Sequence, residues 1–276
     1  MKLLLTSLAF LFISSAWGQY YFNDLLATAQ SQAQYQLLRA NKVKKITAIS
    51  FEEDGSANEA FLLEQELTMD GKKLSTKSGI QSGKTSTVTS FFELSKLKRT
   101  LSNSNGIDNK MEYFYDNTGK LIKLSLTSGD TAVKYSTQEY RDWVYGANGL
   151  PASIVKVKNK IDSTVAKLVI DEEGNVAEEQ WSRKNTPLET YYYYYDQQHR
   201  LTDIVRFNQK LKKLVPDYVF EFDAKGKLAQ MTQLSGSGKY FTWQYEYNEK
   251  GLKWKETCKD NERKLVGKIE YKYEFQ

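Results

Sequence analysis

Through most of the chain apolar and polar side chains alternate with a period of two, and the alternating runs end on an acidic residue followed by a glycine. "EYFYDNTGKL" (112–121), "KLVIDEEGNV" (167–176), "YYYYDQQHRL" (192–201), "VFEFDAKGKL" (219–228) and "QYEYNEKGL" (244–252) align on the Asp or Asn. A divergent copy is "DWVYGANGL" (142–150), and weaker ones are "LTMDGKKL" (67–74), "SFFELSKLKR" (90–99) and "ISFEEDG" (49–55). The glycine position falls at residues 119, 149, 174, 199, 226 and 251, so a unit of near-constant length recurs. Such self-similarity marks a repeat architecture.

The turn chemistry is mechanical. Asp or Asn at the first position of a type I turn caps the turn backbone, and Gly at the fourth tolerates positive φ. Asp116 to Gly119 therefore predicts a tight hairpin turn with a glycine bulge, with Lys120-Leu121 opening the return strand. Before each turn every second residue is apolar or aromatic, as in Tyr113 and Tyr115, Trp143 and Tyr145, Leu168 and Ile170, Phe220 and Phe222, and Tyr245 and Tyr247. One oily face at period two is a half-buried antiparallel strand. In the run Tyr191 to Tyr195, residues 191, 193 and 195 take the inward positions. Tyr192 and Tyr194 stand where other copies carry Glu or Lys. The return strands "VAEEQWSRK" and "LAQMTQLSG" alternate too loosely for their faces to be assigned.

"NDLLATAQSQAQYQLLRAN" (23–41) breaks the pattern. A capping Asn or Asp, the stripe Leu26, Ala29, Ala33 and Leu37, and Asn41 as a stop predict one helix, laid against the first strands or across an opening of the sheet. The expected fold is all-β: an antiparallel meander of repeated hairpins of ~25 residues, forming a strongly curled sheet or open barrel-like shell, with one N-terminal α-helix.

The runs "YFYDNTGKL", "YYYDQQHRL" and "FEFDAKGKL" resemble the Tyr-Asp, or Rhs-type, hairpin repeat, whose pattern is roughly aromatic-x-aromatic-Asp-x-x-Gly-Arg-Leu. The likeness covers residues 111–252 well and 46–110 faintly. It implies a continuous curled sheet of hairpins, used in large relatives as a shell or stalk. Lys or Asn replaces the Arg in most copies, Arg200 excepted, and a toxin-encapsulating role is not expected. The chain is more similar to short exported proteins of this type from Bacteroidetes-like bacteria, whose function is unknown.

Residues 1–18 read as a signal peptide: Lys2, an apolar run from Leu3 to Ile13, and the small-x-small ending Ala16-Trp17-Gly18. The run is too short to span a membrane, which takes about 20 residues. Cleavage is expected before Gln19, with export to the periplasm or beyond. Residues 19–45 are then the helix and linker, and 46–276 a single hairpin-repeat domain. The lone Cys258 allows no internal disulfide and reads as a half-buried strand residue. Net charge is +5, and the C-terminal lysines alternate with glutamates. That is a solvated surface, and no nucleic-acid partner is expected.

Candidate chemistry is sparse. The single histidine, His199, falls on a turn-glycine position, where positive φ explains it better than catalysis does. One His and one Cys cannot build the usual zinc cluster, so neither metal nor cofactor is expected. "SGIQSGKTST" (78–87) ends like a phosphate loop, but Ser78 replaces the required first glycine and the flanks read as β. The runs 52–54 and 171–173 lack EF-hand spacing. An aromatic patch of Tyr192, Tyr194 and Trp181 is the one candidate binding surface, suited to stacking on sugar rings or a partner protein; the alternative, which is favoured, is cross-strand packing that braces a twisted sheet. The expected role is a non-enzymatic binder or scaffold at the bacterial cell envelope, its partner a glycan, the cell wall or an envelope protein. An outer-membrane barrel and a carboxylate hydrolase are the alternatives.

Overall fold

The computed structural model describes residues 19–104, 106–130, 132–133, 135–209, 211–234 and 239–276; residues 1–18, the expected signal peptide, lie outside the described residues. A π-helical turn (Tyr21–Leu26) runs into α1 (Ala27–Ala40). The strands are β1 (Val43–Phe51), β2 (Phe61–Leu67), β3 (Lys73–Ile80), β4 (Thr85–Glu93), β5 (Lys96–Ser104) and β6 (Ile107–Tyr115). Then come β7 (Leu121–Asp130), β8 (Tyr135–Tyr145), β9 (Pro151–Lys158), β10 (Asp162–Ile170), β11 (Val176–Arg183) and β12 (Thr186–Tyr195). The series ends with β13 (Leu201–Asn208), β14 (Lys213–Phe222), β15 (Leu228–Leu234), β16 (Tyr240–Tyr247), β17 (Lys253–Lys259) and β18 (Leu265–Phe275). β1 starts at Val43, inside the stretch the sequence assigns to the linker, because only Asn41 and Lys42 separate it from the helix, with Lys42 at φ 54°.

Each strand pairs antiparallel with the next from β2 to β18, and β1 closes the ring by pairing with both β18 and β2. The expected curled sheet is thus a closed 18-stranded barrel. Closure removes the exposed edges that a meander otherwise presents.

The repeat turns are built as the sequence predicts. Gly119 N–H donates to the Asp116 carbonyl at 3.1 Å, with Gly119 at φ 85° and a bulge beside Tyr115. The Asp116 carboxylate accepts the N–H groups of Thr118 and Lys120, both at 2.9 Å. The pattern recurs at Asp171, Asp196 and Asp223. His199 sits at φ 56° in the place of a glycine.

A second ladder, between neighbouring units, explains the rest of the motif. Where a tyrosine ends the strand before a turn, it donates its hydroxyl to a carbonyl at the start of the preceding return strand: Tyr115 to Leu97 at 2.8 Å, Tyr145 to Leu121 at 2.8 Å, Tyr195 to Val176 at 2.9 Å and Tyr247 to Leu228 at 2.9 Å. The lysine after the turn crosses the next unit's ring to reach its glycine carbonyl. Lys96 does so over Tyr115 to Gly119 at 3.1 Å, and Lys120 over Tyr145 to Gly149 at 2.8 Å. Either cation can make this contact, which accounts for Lys where the repeat pattern has Arg; Arg200 lies over Phe222 in the same way.

The N-terminal segment does not lie on the outside. Its residues touch β1, β2, β4 and β5 through Tyr35 and Leu38, and β8, β9, β11, β12 and β14 through residues 20–24. Strands that far apart around a closed ring can be reached together only from within. The segment is a plug in the lumen.

The buried stripe of the helix differs from the expected one. Ala27, Thr28, Tyr35 and Leu38 are buried, whereas Ala29, Ala33 and Leu37 are exposed. The predicted stripe took aliphatic residues alone, and of these only Leu26 packs on the core, because the barrel offers a stacking partner to the tyrosine. Tyr35 lies flat on Phe92, ring centroids 3.8 Å apart, and donates its hydroxyl to the Gly71 carbonyl. No side chain caps the N-terminus of either helical segment, Asp24 being drawn to the barrel wall instead, whereas the Asn41 side-chain amide donates to the Leu37 carbonyl at 2.9 Å where α1 stops.

Candidate functional site

The interior begins as a hydrophobic floor. Phe22 packs among Leu124, Trp143, Ile154, Tyr193 and Phe220 in one cluster, and Tyr35 and Leu38 among Val43, Ile46, Leu67, Phe92 and Leu97 in another. Both lie in the half of the barrel that carries the Asp–Gly turns.

Buried polar contacts hold the first residues of the plug. Glu179 is fully buried, yet its carboxylate accepts four donors: the N–H groups of Tyr20 and Tyr21 at 2.9 Å, the Trp181 indole at 2.6 Å and the Tyr193 hydroxyl at 2.6 Å. Burial pushes this carboxyl above its ordinary pKa, against those donors. Arg141 bridges Asp24 at 2.5 Å and Glu139 at 2.9 Å, and its guanidinium lies 4.2 Å from the Tyr20 ring centre. Burial opposes its charge, but the two carboxylates hold it protonated beyond its usual range. Gln19 donates to Asp217 at 2.6 Å, and Asp217 also accepts from Arg206 at 2.8 Å.

Towards the opposite end the inner wall turns polar. Residues paired across neighbouring strands share a face, so the register aligns Gln65, Thr76, Val88, Ser102, Asn109, Ser128 and Thr137 in one row across β2 to β8. The row lies on the lumen side, because Met111 and Leu126, two residues along the same face from Asn109 and Ser128, pair with each other and Met111 packs on the core. Ser102, Asn109, Ser128 and Thr137 are half-buried. On the facing arc, Lys156, Glu189 and Arg206 project inward, with Lys156 bonded to the Tyr20 hydroxyl at 2.9 Å. Barrels of 16–18 strands are wide enough for a water-filled interior. The plug thus fills the end that carries the Asp–Gly turns, and the inner wall beyond it carries hydroxyl, amide and charged groups.

The three aromatic residues singled out from the sequence are not brought together. Trp181 points inward and is buried, bonded to Glu179, while Tyr192 and Tyr194 are on the outer face, Tyr194 47% exposed. The bulge between Val169 and Ile170 shifts the register of β11, so that Glu178 faces out and Glu179 in. The same bulge stands beside Tyr115, but "VAEEQWSRK" alternates too loosely to show which face it sets, so sequence alone does not assign Glu179 and Trp181 to the lumen. Gln19, Asp24 and Arg141 were missed because their pairing spans more than a hundred residues.

The remaining candidates fall into place as structural residues. Cys258 is buried in β17 on the inner face, and burial pushes its thiol up to about 12. Residues 78–87 form the β3–β4 hairpin. Among the lumen carboxylates, Asp24 and Glu139 pair with Arg141, Asp217 with Arg206, and Glu256 with Lys253 at 2.9 Å. Among the described residues no cluster of His, Cys, Asp and Glu has metal-binding geometry, and no helix is long and apolar enough to cross a membrane.

The outer wall is charged. Lys45–Glu64 at 2.8 Å, Lys123–Asp142 at 3.1 Å and Lys255–Glu246 at 2.7 Å pair across neighbouring strands, well within the strands' length.

No protein family matches the sequence, and no curated protein does. Among solved structures, the barrel is similar to part of the Tc holotoxin pore of Photorhabdus luminescens, with 13% identity and a TM-score of 0.35 over 80% of this chain. The matched region is 13% of that toxin chain. A porin-like protein from Bacteroides uniformis is 9% identical with a TM-score of 0.39, over 84% of this chain and 98% of its own.

Proposed function

We propose that the protein is an exported, water-facing β-barrel cup that binds a polar ligand in its open half at the bacterial envelope, without catalysing a reaction. The observation that carries this is the row of half-buried hydroxyl and amide side chains, Ser102, Asn109, Ser128 and Thr137, on the lumen wall opposite Lys156 and Arg206. Closely spaced hydroxyls and amides backed by a rigid sheet suit a polyhydroxylated ligand such as a cell-wall glycan, since each offers both donor and acceptor capacity. The sequence of residues 1–18, which reads as a signal peptide, supports export.

The outer-membrane reading has in its favour the closed barrel with a polar interior. Against it stands the paired charge of the outer wall, because a basic group facing lipid near the midplane costs roughly 2–4 kcal/mol. Fractionation separates the two: release of the protein from cells by osmotic shock supports the cup, and retention with the membrane until detergent is added supports the barrel in lipid. A glycan array tests the ligand class. Binding lost in a Ser102→Leu, Ser128→Leu variant supports it, whereas glycan binding left intact in that variant places the site elsewhere.

A further inference from the structure

The lumen holds an excess of negative charge around the start of the plug. The network consists of Glu179, Asp24, Glu139, Asp217 and Glu189 on one side and Arg141, Arg206 and Lys156 on the other. Glu179 is the member with no cation: its four partners are two backbone N–H groups, an indole and a phenol. A carboxylate taken wholly out of water is costly unless it is paired.

The missing cation has an obvious address. The Tyr20 nitrogen is 2.9 Å from Glu179 Oε1. Consecutive backbone nitrogens are at most about 3.7 Å apart, so the Gln19 nitrogen lies within about 7 Å of that oxygen. Gln19 is itself buried, its side chain held by Asp217. Within a chain this nitrogen is a neutral amide. As a chain terminus it is an ammonium.

We infer that removal of residues 1–18 completes the plug: the α-ammonium created at Gln19 becomes the buried counter-ion of the Glu179–Asp217 side of the lumen and latches the N-terminal segment in place. The inference rests on the export reading above. On this view processing is part of the folding of the cup. The precursor lacks one buried ion partner, and the mature chain gains it at the moment of cleavage. The charged and titratable groups around residues 19–21 are Glu179 with Tyr193, Asp217 with its partner Arg206 and through it Glu189, and Lys156, Arg141 and Tyr195 against Tyr20 and Tyr21.

The test uses the full chain, exported from a bacterial host. Intact mass first establishes the N-terminus. A product that does not begin at Gln19 overturns the export reading and the latch with it, and a product that does begin there leaves the latch to be judged alone. The α-amine is then titrated by its rate of acylation. The latch requires a pKa above the ordinary 7.7–8.0 and reactivity lowered about tenfold or more in the folded protein. Glu179→Gln should restore ordinary reactivity. Because that variant can fail to fold, a second one inserts Gly-Ser after the cleavage point of the unaltered chain. It should lower the folding equilibrium constant about tenfold or more, and Glu179→Gln should add little to that loss. An amine that titrates ordinarily, an N-terminal glutamine found cyclised with loss of ammonia, or an insertion without effect on stability overturns the inference.

Discussion

Arg141 and Asp24 meet at 2.5 Å in the barrel interior although 117 residues separate them in the chain. Both are largely buried, so removing one partner strands the other's charge, at a cost of about 3–5 kcal/mol. Arg141→Met and Asp24→Leu are each expected to lower stability by that order in denaturant unfolding. The double variant should lose less than the sum, because two well-packed apolar groups replace the pair.

The inner and outer aromatics should behave oppositely. Trp181 is buried and bonded to Glu179, so Trp181→Ala should cost about 3–5 kcal/mol. Tyr194 is on the outer face, and Tyr194→Ser should stay within about 0.5 kcal/mol. Thermal unfolding of the two variants side by side distinguishes them.

The turn position gives a sign test. His199 holds φ 56° where other units place glycine, and Gly119 holds φ 85°. His199→Gly is expected to be neutral or stabilising by up to about 1 kcal/mol, whereas Gly119→Ala should destabilise by about 1 kcal/mol or more. Denaturation midpoints check both.

The turn aspartates set the acid limit of the fold. The Thr118 hydroxyl, with backbone N–H groups, holds Asp116 below its ordinary pKa, and Arg200 does the same for Asp196. A carboxyl depressed in the folded state contributes stability present above its unfolded pKa and lost as pH falls through the folded value. Stability should therefore fall below about pH 4, and Asp116→Asn should show a shallower decline there than the parent. Unfolding midpoints measured across that range decide it.

The turns and the strands leading into them were legible because each is local chemistry: Asp116, Gly119 and Tyr115 state their roles within a few residues. The ladder from Tyr115 to Leu97 and the plug contacts were not, since both join positions that only ring closure brings together. The face of the helix was misjudged for a related reason. An isolated helix is read by its aliphatic stripe, but Tyr35 is buried because Phe92 and the Gly71 carbonyl await it. The lumen site depends on the bulge that accompanies each Asp–Gly turn, as beside Ile170; the turn announces it, but the loose alternation of the return strand does not show which residues it sets inward.

The plugged lumen is tested most directly by hydrogen exchange at the Tyr20 and Tyr21 amides, which donate to the buried Glu179 carboxylate. Protection of these two amides comparable to that of the central strands, lost on Glu179→Ala, is the expected result. Exchange at the rate of an unstructured N-terminus, with the strands fully protected, would contradict the plug.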